Sequence, residues 1–103
     1  MKNNSNIYNN SEVIISIKLS HDQEIRALNK KHLNKDLVTD VLSFNIDEIS
    51  DDKYYLGDVI VNIDQAKRQA KEYDNTLEEE ISDLVQHGVL HLLGVHHEDK
   101  EAK

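Results

Sequence analysis

Hydrophobic and polar positions alternate over most of 13–19, and the stretch is rich in β-branched residues, which predicts a strand with Val13, Ile15, Ile17 and Leu19 facing the core. Ser20, with Gln23 three residues on, has the form of a capping box and opens a predicted helix to about Leu33, with Ile25, Leu28 and His32 on its inner side. A second strand is predicted over 40–46, then an acidic loop over 47–53, then a third strand over 54–63. Val59, Ile60 and Val61 are a continuous apolar run, the pattern of an interior strand covered on both faces. Asp64 is placed to cap a helix over 65–73, and Thr76 with Glu79 forms a second capping box that starts a long helix. Glu78, Glu79 and Glu80 complement the dipole of its first turn. The interleaved elements predict a small α+β domain, with a short mixed sheet and a centrally packed, buried helix near the C-terminus.

That last helix carries the candidate chemistry. His87 and His91 are four apart, so on a helix they share a face at the spacing a divalent metal needs from two imidazoles. Gly94 supplies a helix stop through the left-handed conformation, swinging the chain back so that His97, or its neighbour His96, approaches as third ligand. Between Leu84 and Val95 the only polar side chains are Gln86 and the two histidines, which predicts a helix apolar nearly all round and two buried imidazoles. Leaving a buried imidazole unpaired costs roughly 1–3 kcal/mol, a penalty that a shared metal removes. Three imidazoles and no cysteine leave a fourth position open, as in catalytic zinc sites. The metzincin proteases share this spacing but carry a glutamate base after the first histidine. Here that position is Gly88, so a protease reading loses its base.

Composition narrows the field. Apolar residues make up 38% and aromatics 5% of 103 residues, which predicts one aliphatic core. Residues 1–11 are dominated by Asn and Ser and read as a disordered leader, leaving 12–103 as a single metal-binding domain. The absence of cysteine fits a reducing compartment; with neither a span-length apolar run nor a signal-peptide core, the expectation is a cytoplasmic protein with no membrane partner. A net charge of −8 argues against loose affinity for nucleic acid. The charge is uneven, with six basic and five acidic side chains in residues 1–40 against six and fifteen in 41–103. Any polyanion surface therefore lies in the first part, where Arg26 and Lys30 share the outer side of the first helix with Lys31 and Lys35 nearby; the alternative for them is an ordinary solvated face.

Four separated motifs bring these observations together. Leu28-Asn29, the run Thr39 to Phe44, the run Leu56 to Ile60, and His87 to Gly94 with His97 occur in the same order and at similar spacing as in the YbeY family, which the chain resembles over residues 12–99. Those proteins are bacterial zinc-dependent endoribonucleases, also described as ribosomal RNA maturation factors. The resemblance implies one zinc ion held by His87, His91 and His97, action on single-stranded or ribosomal RNA, and association with the small ribosomal subunit. It also implies that Asp40 and Asp58 act as structural anchors or as support around the site, and it favours His97 over His96 as ligand.

The chain departs from the family pattern at three positions. Leu33 stands where family members usually carry an arginine thought to contact RNA phosphate, Val38 where they have proline, and His96 where they have aspartate. The resemblance thus implies a metal-dependent endoribonuclease. Two other classes stay open: a non-catalytic ribosome-assembly or RNA-binding module with structural zinc, and a zinc hydrolase of another substrate.

Overall fold

Val59 and Val61 are fully buried and Ile60 is 8% exposed, because the strand that carries them is covered on both sides. The computed structural model describes residues 12–95, and within them β1 (Glu12–Ser20), α1 (Asp22–Leu33), β2 (Val41–Ser50), β3 (Lys53–Asn62), α2 (Ile63–Tyr73) and α3 (Leu77–Leu92) follow in order. The sheet order is β1-β3-β2; β1 runs parallel to β3 and β2 antiparallel to it. Successive side chains of β3 leave opposite faces. Val59 and Val61 pack with Leu56, Ala66, Leu84 and Leu92 beneath α2 and α3, whereas Ile60 packs with Ile25 and Leu42 beneath α1. The result is the expected α+β fold with a mixed sheet, and α1 lies across the sheet from α3.

β1 is an edge strand, and this corrects the expected core set. Ile15 packs against the core beneath α3, but Val13, Ile17 and Leu19 are half exposed, because only one neighbour strand flanks them and the helices sit over the middle of the sheet. Alternation revealed which way they point, not whether anything covers them. The acidic loop expected over 47–53 is also corrected. β2 continues to Ser50 and turns into β3 through Asp51 and Asp52, whose φ values of 52° and 63° are those of a two-residue primed hairpin turn that short carboxylate side chains tolerate. Asp47, at φ 53°, sits where the β2–β3 register shifts between Asn45 and Glu48, a bulge that Tyr54 steadies by donating its hydroxyl to Asp47 Oδ1 at 2.8 Å.

The helix starts are capped by different residues from those expected. His21, not Ser20, is the N-cap of α1 and makes no side-chain capping bond; the Ser20 hydroxyl instead donates to the Glu24 carboxylate. The open N–H of Asp22 donates to Asp64 Oδ2 at 3.0 Å, so Asp64 serves α1 across the fold while Asn62 caps its own helix, accepting from Gln65 N at 3.3 Å. Asn62 is fully buried, and its Nδ2 donates to Asp22 Oδ1 at 2.7 Å and to the Thr39 carbonyl at 3.1 Å. Its backbone N–H donates to the Asp40 carbonyl at 2.8 Å, so this one side chain and its peptide tie α1, β3 and the entry to β2 together. Arg68 completes the latch with a fork onto Asp22 at 2.8 and 3.1 Å.

The latch should be acid-sensitive. The Arg68 fork, then the Asn62 amide, hold the Asp22 carboxyl below its ordinary value, and the Asp22 N–H with the His21 ring does the same for Asp64. A carboxylate depressed in the fold stabilises above its unfolded pKa, and that contribution is lost as pH falls through the folded value. The melting temperature should therefore drop between about pH 5 and pH 3, and Asp22→Asn should lower it at pH 7 while shrinking the drop. An acid drop of equal size in the variant would remove Asp22 from the account.

Candidate metal centre

The helix that carries the histidines is built to start and stop sharply. At its N-terminus Thr76 Oγ1 accepts from Glu79 N at 3.0 Å and Thr76 N donates to Glu79 Oε1 at 2.9 Å, the reciprocal box expected from the sequence. Glu80 does more than complement the dipole. It is 5% exposed and accepts from Gln69 Nε2 at 2.8 Å and Asn75 Nδ2 at 3.2 Å, joining α3 to α2. At the other end Gly94 takes φ 90°, with Gly94 N bonded to His91 O at 3.0 Å and Val95 N to Leu90 O at 2.9 Å. That pair of bonds is a Schellman stop, as expected for glycine here.

α3 presses one stripe, Glu80, Leu84, Gly88 and Leu92, against the rest of the domain. His87 and His91 lie outside that stripe and are exposed, as are Leu93 and Val95. This corrects the expectation of buried imidazoles: an apolar sequence does not show which sides of a helix are covered. The desolvation argument for a metal therefore falls away. Both rings belong to one rigid helix at a spacing of four and both line one cleft, together with Leu33, Val41, Leu42, Ser43, Gly88 and Val95. Val95 enters that lining directly after the Gly94 turn. His96, His97, Glu98 and Asp99, like the 1–11 leader, lie outside the described residues. Among the described residues no group of three or more His, Cys, Asp or Glu side chains could hold a metal ion. His87 and His91 suit a zinc ion as two nitrogen donors.

Gly88 explains why the general base of the metzincin pattern has no place here. A Cβ on Gly88 would stand 2.5 Å from Val59 Cγ1, 3.1 Å from Val59 Cγ2 and 3.4 Å from Ser43 Oγ. The position between the two histidines meets the sheet at the floor of the cleft, so a glutamate there would first have to displace a fully buried valine.

The other candidate residues lie apart from the histidines. None of Arg26, Lys30, Lys31 and Lys35 lines the cleft; they belong to α1 and the turn after it, on the far face of the sheet. Arg26 is held by Asp36 at 2.7 and 3.3 Å, which raises the pKa of the guanidinium and lowers that of the carboxyl. Leu33, the last residue of α1, does reach round to the cleft and is 48% exposed. Asp40 lines a separate polar hollow with Asp22, Thr39 and Arg68, and Asp58 another with Ser16, Lys18 and Ile60. The residue that sequence reasoning missed is Ser43. Its signal was strand alternation: Ser43 pairs with Val59 and Val41 with Val61, so both face α3.

A three-stranded mixed sheet crossed by a helix with two exposed imidazoles four residues apart, both lining one cleft, defines a small α+β domain. The family model described as Endoribonuclease YbeY matches residues 1–103, and the chain belongs to this family. Among proteins named Endoribonuclease YbeY, that of Aquifex aeolicus (strain VF5) is 49% identical over 88 residues, covering 85% of this chain and 59% of the relative. That of Sulfurihydrogenibium sp. (strain YO3AOP1) is 50% identical over 94 residues, covering 90% and 62%. The Heliobacterium modesticaldum protein is 43% identical over 100 residues, covering 86% and 60%. The chain thus spans about three-fifths of the length of these relatives.

Proposed function

We propose that this domain is a zinc-dependent endoribonuclease acting on single-stranded or ribosomal RNA, in ribosomal RNA processing and maturation of the small ribosomal subunit, in the cytoplasm. The observation that supports it most is the pair of exposed imidazoles on one face of α3, opening on a cleft to which the Gly94 turn returns the chain. His87, His91 and His97 would hold one zinc ion. When bound, such an ion supplies Lewis-acid stabilisation of charge on a phosphoryl oxygen and activation of water, without a carboxylate base. Family membership and the relatives' name support RNA as the substrate. No helix among the described residues is long and apolar enough to cross a membrane.

At a net charge of −8 the domain cannot hold RNA by its overall field, so local cations must do so. Lys30 and Lys31, in the last turn of α1, lead towards Leu33 at the cleft, with Lys35 just beyond; Arg26, already paired with Asp36, offers less. Asp40 and Asp58 serve as anchors away from the phosphate path, and His96 as the neighbour of the third ligand. Leu33 favours a second reading, a non-catalytic ribosome-assembly module with structural zinc, because it places an apolar side chain at the cleft. A zinc hydrolase of peptides is the weaker reading, given the steric block at Gly88.

Zinc-loaded protein should cut a single-stranded RNA, chelator should stop the cutting and added zinc restore it. Equal cutting with and without chelator would reject the proposal. Leu33→Arg should raise kcat/KM about tenfold by adding a charge-assisted contact to phosphate. RNA binding with no turnover in either protein would favour the module.

A further inference from the structure

Ser43 is the one polar side chain in the described lining of the cleft besides the imidazoles; Leu33, Val41, Leu42, Gly88 and Val95 offer no side-chain donor. Its hydroxyl makes no hydrogen bond among the described residues. The position is rigid: Ser43 pairs with Val59 on the central strand, and its Oγ lies 3.4 Å from where a Cβ on Gly88 would stand, under the helical turn that carries the ligands. A phosphodiester in such a cleft needs hydrogen-bond donors for its non-bridging oxygens, because each anionic oxygen removed from water and left unpaired is costly. With both imidazoles used as ligands and an apolar Leu33 where a guanidinium would reach, the described lining has one hydroxyl left to serve. We propose that Ser43 is a substrate-binding residue whose hydroxyl donates to a non-bridging phosphate oxygen of the bound RNA, holding the backbone against the floor of the cleft opposite the imidazoles. This rests on the RNA-cleaving reading given above.

The competing role for Ser43 is packing alone: a small residue is needed where α3 rides closest to the sheet. Ser43→Ala separates the two, since it keeps the size and removes only the donor. The zinc-loaded full chain and its Ser43→Ala variant are compared in binding a short single-stranded RNA, in KM and kcat, in zinc content and in melting temperature. The expected result is a Kd and KM raised about tenfold with zinc content and melting temperature unchanged. A second measurement uses the same RNA with one non-bridging oxygen at the cleavage site replaced by sulfur. Of the two phosphorothioate isomers, one should weaken binding to the native chain and leave the variant's affinity unchanged, because the contact it disturbs is already gone. If the native chain cuts RNA in a chelator-sensitive way but Ser43→Ala binds as tightly, or both isomers affect the two proteins alike, Ser43 is a packing residue and the endoribonuclease reading stands. If the native chain neither binds nor cuts RNA, both fall.

Discussion

Replacing His91 by alanine should strip the domain of stoichiometric zinc and lower RNA cleavage on the order of 100-fold or more, since two nitrogen ligands hold the ion poorly where three are needed. The fold should survive. His91 is exposed and outside the buried stripe of α3, and exposed substitutions generally move stability by less than about 0.5 kcal/mol. Elemental analysis, initial rates and a thermal melt of the apo forms check the three parts separately. The same metal analysis on His97→Ala and His96→Ala settles the third ligand. Zinc kept by the His97 variant and lost by the His96 variant would overturn the assignment of His97. Full zinc and full activity in His91→Ala would end the metal-centre reading itself.

Gly88→Ala should destabilise the domain although alanine is the better helix former. The helix gains about 1 kcal/mol from the exchange. Against that stands a Cβ 2.5 Å from Val59 Cγ1, and neither partner can step aside, because Val59 is fully buried in the central strand and α3 is fixed along its stripe. Overpacking of a filled core costs about 1–3 kcal/mol and more where the backbone must shift. The steric cost should win, lowering the melting temperature by roughly 5–10 °C in a domain of this size. The clash is with one side chain, so Gly88→Ala combined with Val59→Ala should be less destabilised than the two single effects added together. Strict additivity would show that the strain lies elsewhere. Glutamate in place of Gly88 should be worse still, carrying a charge into the same gap.

Local signals in the sequence transferred to the fold where the partners were local. The Thr76 and Glu79 box and the Gly94 stop depend on residues within a turn of one another, and the run Val59 to Val61 announced its double cover by its own composition. What could not be read were decisions made across the fold. Asp64 looked like the cap of its own helix and instead caps α1, because Asn62 already occupied the nearer post. The half exposure of Ile17 and Leu19 follows from sheet order, which alternation does not encode. The exposed imidazoles follow from which side of α3 meets the sheet. At the candidate site, the placing of His87 and His91 on one side of α3 was legible from spacing. The entry of Leu33 into their cleft from the opposite face was not, since it depends on how α1 ends beside the edge of the sheet, and resemblance alone pointed to that position.

The sheet order also bears on how the chain finds its fold. β2 and β3 are joined by Asp51 and Asp52 alone, so their ladder closes a minimal loop and can zip from the turn. β1 has no such advantage: its parallel partner begins at Lys53, and all of α1 and β2 must be threaded between them. The entropy of that closure has to be met before any β1 contact rewards it, so the hairpin is the expected early event and the docking of β1 the slow one. Until β1 docks, the inner edge of β3 is an open row of hydrogen-bonding groups beside Val59 and Val61, two residues that the finished fold buries completely, and it is in this interval that a nascent chain is most exposed to pairing with another copy.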